Sequence, residues 1–251
     1  MPLTYVLPVH NEETILLGNV ARLRSALAAH AGATILLVEN GSQDGSAALA
    51  RGLAKDAHPV PVHAFSLTDA GIGHAFDRGI RAALALAGAS TSHWLVLTAA
   101  DLPFGFTDLE QALPHLGDGS GPLLIGSKAH PRSVVRVPRR RALATRVYRG
   151  LRRAVAGMRT GDSQGSLFLR LDVAAKLVDL VLSRDFFYTT ELVFHAERLR
   201  HPIIELPVTS APEARASTVR PVRHGAGMLL ALLRTTRSWG RIGFAPDSFD
   251  R

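Results

Sequence analysis

Tyr5-Val6-Leu7-Pro8-Val9-His10-Asn11-Glu12 and Ile35-Leu36-Leu37-Val38-Glu39-Asn40-Gly41-Ser42-Gln43-Asp44-Gly45 decide the fold. Each is a short apolar run that passes without a spacer into polar, turn-forming residues. A continuous apolar run suits a strand covered on both faces, as in a parallel sheet; a strand with one wet face alternates instead. In an open parallel sheet the ligand crevice lies beyond the carboxyl ends of the strands. The acids and amides stand at those ends, so both stretches point to a binding site along one sheet edge.

The same pattern continues outward. Strands are expected at 3–9, 34–38, 60–65 and 94–97, with helices over 14–30, 46–55, 70–87 and 106–116 between and after them. Asn11 is expected to cap the first helix. Alternating strands and helices argue for a doubly wound, mostly parallel α/β sheet with helices on both faces. Further strands are expected at 122–127, 165–169 and 203–208, and helices at 143–158, 173–182 and 189–199. Residues 211–221 read as a loop and 225–238 as an amphipathic helix. The division expected is a catalytic domain over 1–210 and a C-terminal loop with a basic amphipathic helix over 211–251.

The chain has 251 residues, 47% of them hydrophobic, which is ample for a core and argues against wholesale disorder. It has no cysteine, which removes disulfides, thiolate nucleophiles and Cys-ligated zinc together. That fits a reducing, cytoplasmic setting, and no signal peptide or bilayer-spanning run is read. The net charge of +8 is concentrated. Between Asp118 and Asp162 stand 11 Lys and Arg residues and not one acid, so the rest of the chain is slightly acidic. Ten of those 11 are arginines, the residue suited to bidentate phosphate recognition. Few aromatics interleave with them, which argues against single-stranded nucleic acid.

At Pro8-Val9-His10-Asn11-Glu12 and Val38-Glu39-Asn40-Gly41-Ser42-Gln43-Asp44-Gly45 the chain resembles the family-2 glycosyltransferases of the GT-A fold. It looks closest to the branch that moves a sugar onto dolichyl or another polyprenyl phosphate. The two stretches match that family's P-x-x-N-E and V-D-D/N-G-S-x-D-G. Gly71-Ile72-Gly73-His74-Ala75 through Ala83 resembles its G-x-G-x-A-x-x-x-G-I-x-x-A. Lys128 falls where G-S-R is usual, Gln164 in a D-x-Q-x-G stretch, and Phe187 to Leu192 resembles the segment ending in E-L. The likeness covers residues 3 to about 210.

The resemblance implies that Pro8, His10, Asn11, Glu12, Glu39, Asn40, Gly41, Ser42 and Asp44 hold the base and ribose of a UDP- or GDP-sugar. Glu39 replaces the usual Asp. It implies that Gly71 and Gly73 bring a helix N-terminus close to phosphate, and that Ala99, Ala100, Lys128 and Gln164 line the same donor. Asp101 is the second acid of the family's D-x-D and would hold Mg²⁺ or Mn²⁺; Ala99 stands where the first acid belongs. Asp101, Asp162, Glu191 and Arg136 are the catalytic candidates. The expected reaction is an inverting displacement onto a polyprenyl phosphate. Two other readings are kept: a soluble hydroxyl acceptor, with Asp162 or Glu191 as base, and a nucleotide-sugar-binding relative without turnover. The basic C-terminal helix is expected to lie on an anionic membrane or to pack on protein, and association of identical copies is left open.

Overall fold

The computed structural model describes residues 1–117, 121–135, 139–210 and 221–241. It opens with β1 (Leu3–Val9), α1 (Leu16–Leu27), β2 (Thr34–Asn40), α2 (Ser46–Lys55), β3 (Val62–Leu67), α3 (Ile72–Ala87) and β4 (Trp94–Leu97). There follow α4 (Thr107–Ala112) with a 3₁₀ turn at Leu113–His115, β5 (Leu123–Ser127), α5 (Arg139–Ala156), β6 (Ser166–Arg170), α6 (Leu171–Leu177), α7 (Tyr188–Arg198), β7 (Ile203–Pro207) and α8 (Pro221–Arg241).

All seven strands join one sheet in the order β3-β2-β1-β4-β6-β5-β7. β1 pairs in parallel with β2 and β4, β2 with β3, and β5 with β7, while β6 runs antiparallel between β4 and β5. Every strand but β6 therefore ends at the same edge, and β6 begins there. The chain steps outward from β1 to β3 and then returns to the other side of β1 as β4. That reversal is the topological switch point, where a crevice must open between the loops after β1 and β4.

Residues on the two faces of β1 show how the layers form. Leu3, Tyr5, Leu7 and Val9 join Leu16, Val20, Leu23 and Leu27 of α1 in a buried apolar cluster that also takes in Leu109 and Ala112 of α4. On the other face α3 presses so close that a Cβ at Gly79 would stand 2.2 Å from Val6 Cγ1. Only glycine allows that approach.

The chain divides into two compact units, Met1–Arg136 with Thr160–Ser217, and Val137–Arg159 with Thr218–Arg251. Within the second unit α5 packs with α8. Among the described residues, no helix is long and apolar enough to cross a membrane.

Three other expectations change. Asn11 does not cap α1: the flanking residue is Ile15, without a side-chain cap, and the Glu12 carbonyl accepts from the Ile15 and Leu16 amides. α5 begins at Arg139, four residues early, because an arginine run has good helix propensity without apolar spacing. α6 ends at Leu177 instead of 182. The expected loop at 211–220 lies outside the described residues.

Candidate active site

The loops after β1 and β2 are stitched together by the motif side chains. Asn11 takes a left-handed backbone, φ 57°, and its Oδ1 accepts from the Gln43 amide at 2.8 Å. The Asn11 amide donates to Ser42 Oγ at 3.1 Å, and the Glu12 amide to Ser46 Oγ at 2.8 Å. Glu13 and Asp44 exchange support: the Glu13 amide donates to Asp44 and the Gly45 amide to Glu13. Asp44 also accepts from the Ser46 amide at 3.0 Å. The Ser46 hydroxyl leads the donors that hold the exposed Asp44 carboxyl below its ordinary range.

Glu39 is 6% exposed and its Oε1 accepts from the Ser42 amide, closing the turn over Gly41, which needs its φ of 82°. The register sets Val9 beside Glu39 and Pro8 beside Val38, so Glu12 and Glu39 leave adjacent strand ends. His10 is exposed beyond β1 and its Nδ1 donates to the Asn40 carbonyl at 3.1 Å.

Asp101 follows β4 on the far side of β1. The Thr98 amide still donates to the Val6 carbonyl, and Asn19 of α1 donates to the Ala100 carbonyl at 2.9 Å, so Ala99, Ala100 and Asp101 cross the switch point against α1. Leu102, directly after Asp101, is buried and left-handed at φ 47°. A leucine there costs on the order of 1–2 kcal/mol. Of the non-glycine residues described with positive φ, Asn11 and Leu102 thus flank the crevice from β1 and β4, and such strain gathers at functional sites.

The other half of the edge carries Lys128, Asp162 and Gln164. The Lys128 and Gln164 amides donate to the two oxygens of Asp162, at 2.9 and 3.0 Å. This loop is clamped from β7, where the Glu205 carboxylate accepts from Ser127 Oγ at 2.6 Å, the Gly161 amide at 2.9 Å and the Asp162 amide at 3.0 Å. The sequence reading took Glu205 as part of a core strand and missed this task. The available signal was a lone acid inside Ile203-Ile204-Glu205-Leu206-Pro207.

Gly71 and Gly73 serve another contact. A Cβ at Gly73 would lie 2.3 Å from the Arg184 carbonyl carbon, and one at Gly71 2.8 Å from the Arg184 oxygen. That oxygen accepts from the His74 amide at 3.2 Å, so the start of α3 is partly capped by the 181–187 segment, not left whole for phosphate. Gln164 Nε2 donates to the Phe186 carbonyl at 3.1 Å, joining this segment to the Asp162 loop.

Glu191 is not the surface acid that a helix position suggests. It is 2% exposed, accepts from the Ser183 amide at 2.8 Å, and has His195 Nε2 at 3.7 Å. Burial works to raise its carboxyl, but His195 and Ser183 outweigh it and hold the group below its ordinary range. Glu191 therefore anchors the 181–187 segment from beneath. Asp69, with His74, Asp77 and Arg78, lines a cavity of about 190 Å³ beyond β3. Arg136 lies outside the described residues, and Arg139 to Arg141 fall in α5.

No group of three or more His, Asp or Glu that could bind a metal ion occurs among the described residues. A hard ion such as Mg²⁺ keeps waters and takes one or two protein carboxylates beside substrate phosphates. Asp101 alone fits an ion completed by a diphosphate, and does not fit a resident all-protein site.

A family model described as glycosyl transferase family 2 matches residues 4–175. Glycosyltransferase AglD of Haloferax volcanii is 28% identical over 246 residues, which cover 96% of this chain and 37% of that protein. The chain thus spans little more than a third of that relative's length. Glucosyl-3-phosphoglycerate synthase from Mycobacterium tuberculosis, solved with Mn²⁺, UDP and glucosyl-3-phosphoglycerate, has a TM-score of 0.63 at 19% identity, over 94% of this chain and 79% of that one. The same synthase solved with Mn²⁺, UDP-glucose and phosphoglyceric acid has a TM-score of 0.64 at 20% identity, over 98% and 81%. At such identities the likeness is one of fold.

Proposed function

The chain belongs to glycosyl transferase family 2, and from that premise we propose that it moves a sugar from a UDP- or GDP-sugar to a polyprenyl phosphate with inversion. The observation that carries the reading is the convergence of Glu12, Glu39, Asp101, Lys128, Asp162 and Gln164 on one sheet edge across a topological switch point. Base and ribose lie against the stitched loops, with Glu12 and Glu39 accepting from their donors and His10 framing the ring. The diphosphate lies over Ala99, Ala100 and Asp101. Asp101 would hold a divalent ion there, and the ion would supply charge neutralisation for the departing diphosphate. Support comes from the synthase of similar fold, which was solved in complex with UDP and Mn²⁺ or Mg²⁺.

An acceptor phosphate oxygen attacks the anomeric carbon from the face opposite the diphosphate. The carbon–oxygen bond to the diphosphate breaks, and nucleoside diphosphate leaves with its electron pair. A phosphate acceptor is already anionic at neutral pH and needs no strong base. Catalysis then rests on positioning and on charge stabilisation by Lys128, Arg136 and the ion. The acid-free arginine segment supports a phosphorylated acceptor. Asp162 is our candidate for acceptor contact, and Glu191 acts through the segment it anchors.

The second reading, a soluble acceptor, is favoured by the synthase of similar fold solved with phosphoglyceric acid. In that case Asp162 is the base. Titration with UDP and GDP, with and without Mn²⁺, followed by turnover with polyprenyl phosphate and phosphoglyceric acid, tests both. Transfer to the lipid phosphate alone is expected. Binding without any turnover would mark a degenerate relative, and no binding at all would end the proposal.

A further inference from the structure

We propose that Arg184 is a positioning residue that carries nucleotide binding across the sheet edge to the loop at 160–164; this rests on the reading of a donor held against the loops after β1 and β2. The path is a continuous run of contacts. It starts at the turn over Gly41, where a Cβ would meet that of Ala70 at 3.6 Å. Next in the chain, Gly71 and Gly73 lie so close to the Arg184 backbone that a Cβ on Gly73 would stand 2.3 Å from its carbonyl carbon. The Arg184 carbonyl also accepts from the His74 amide at 3.2 Å. A nucleotide that steadies the Gly41 turn therefore steadies residue 184, because close-packed groups pass displacement on to one another.

The Arg184 side chain then spreads that contact along the 181–187 segment. Its Nη2 stands 3.3 Å from Asp77 Oδ1 on α3, and its Nη1 donates to the carbonyls of Val181 and Ser183 at 2.7 and 3.0 Å. The Ser183 amide donates in turn to the buried Glu191. One planar guanidinium thus joins α3 to a segment between α6 and α7; a lysine ammonium is a point charge and cannot make that fork. At the far end of the segment the Phe186 carbonyl accepts from Gln164 Nε2 at 3.1 Å, and the Gln164 amide donates to Asp162 at 3.0 Å. Asp162, the acceptor candidate, is oriented through Gln164 by the segment that Arg184 holds.

The test is amide hydrogen exchange on the full chain, read over residues 160–167 and 181–188, with and without saturating UDP or GDP and Mn²⁺. In the wild type, nucleotide should slow exchange in both segments by about 5- to 150-fold, the ordinary range of coupling between sites. Arg184→Ala should bind nucleotide as the wild type does and lose the slowing at 160–167. Arg184→Lys should restore part of it, since the charge facing Asp77 returns without the fork. Asp77→Asn leaves the guanidinium in place and should repeat the loss, which keeps the test decisive should the alanine variant not fold. A residue that only stabilised the fold would, when replaced, raise exchange equally with and without nucleotide and leave their ratio unchanged. That unchanged ratio in Arg184→Ala or Asp77→Asn, which direct contact of the nucleotide with the 160–164 loop would also give, overturns the proposal. So does a nucleotide-bound wild type without slowing at 160–167, and both results leave the function standing. Failure of the wild type to bind either nucleotide would remove the function, and the proposal with it.

Discussion

Glu205→Gln takes one acceptor from a carboxylate that three donors share. Oε1 serves Ser127 Oγ and the Asp162 amide, and Oε2 serves the Gly161 amide. A glutamine keeping its oxygen on the first pair turns its NH₂ toward the Gly161 N–H, so that bond is lost and two donors face each other. The two remaining bonds lose their charge assistance. A hydrogen bond to a charged group contributes about 1.5–3 kcal/mol, so a net loss of about 2 kcal/mol is expected in this half-exposed setting. For a chain of this size that lowers the melting temperature by roughly 4–8 °C.

The kinetic effect should be more specific. The loop released carries Asp162 and Gln164, whereas Glu12 and Glu39 are held by separate bonds after β1 and β2. A displacement of about 1 Å costs on the order of 10²-fold in rate. kcat should therefore fall by up to that factor while the donor KM stays near its wild-type value. Thermal unfolding and initial-rate kinetics on the same preparation read both quantities. An unchanged melting temperature together with an unchanged kcat would refute the clamp, and a rise in donor KM alone would mean that the 160–164 loop serves the donor.

Four further outcomes follow from the site. Gly73→Ala should cost about 1–3 kcal/mol in urea unfolding, because the Cβ must push back the Arg184 backbone, despite alanine's better helix propensity. Ala99→Asp should tighten Mn²⁺ binding in the presence of UDP by about tenfold, or 1.4 kcal/mol, by completing the acidic pair, while Asp101→Asn should weaken it. Glu191 has a lowered folded pKa, so its stabilisation is present above the ordinary carboxylate range and disappears as pH falls through the folded value. Glu191→Gln should flatten the acid limb of a melting-temperature profile. Asp108, buried on α4, has its carboxyl raised by burial against the pull of the Leu109 amide, so its contribution is lost as pH rises through the folded value. Asp108→Asn should then melt higher than wild type at neutral pH and show no such gain in acid.

What the sequence revealed depended on how local each determinant was. The ends of β1 and β4 are legible in the sequence because each is an unbroken apolar run between polar turns. Their shared edge followed from strand–helix alternation alone. The antiparallel direction of β6 was not legible, since Ser166-Leu167-Phe168-Leu169-Arg170 packs equally well in either sense. Asn11 was misjudged because an asparagine before a helix reads as a cap, while its left-handed backbone and its bond to Gln43 depend on a loop some thirty residues away. The same distance hid Glu205 and Arg184, whose partners lie in segments brought near only by the sheet. That Ala99 stands where the family's D-x-D has its first acid, two residues before Asp101, is legible because it depends on residue identity alone.

Mn²⁺ anomalous scattering from crystals of the chain soaked with UDP and Mn²⁺ is the most direct measurement. The account predicts one strong peak within coordination distance of Asp101, bridging a diphosphate whose nucleoside lies against Glu12 and Glu39. A peak elsewhere, or nucleotide bound away from the strand ends at the β1–β4 switch point, would contradict it.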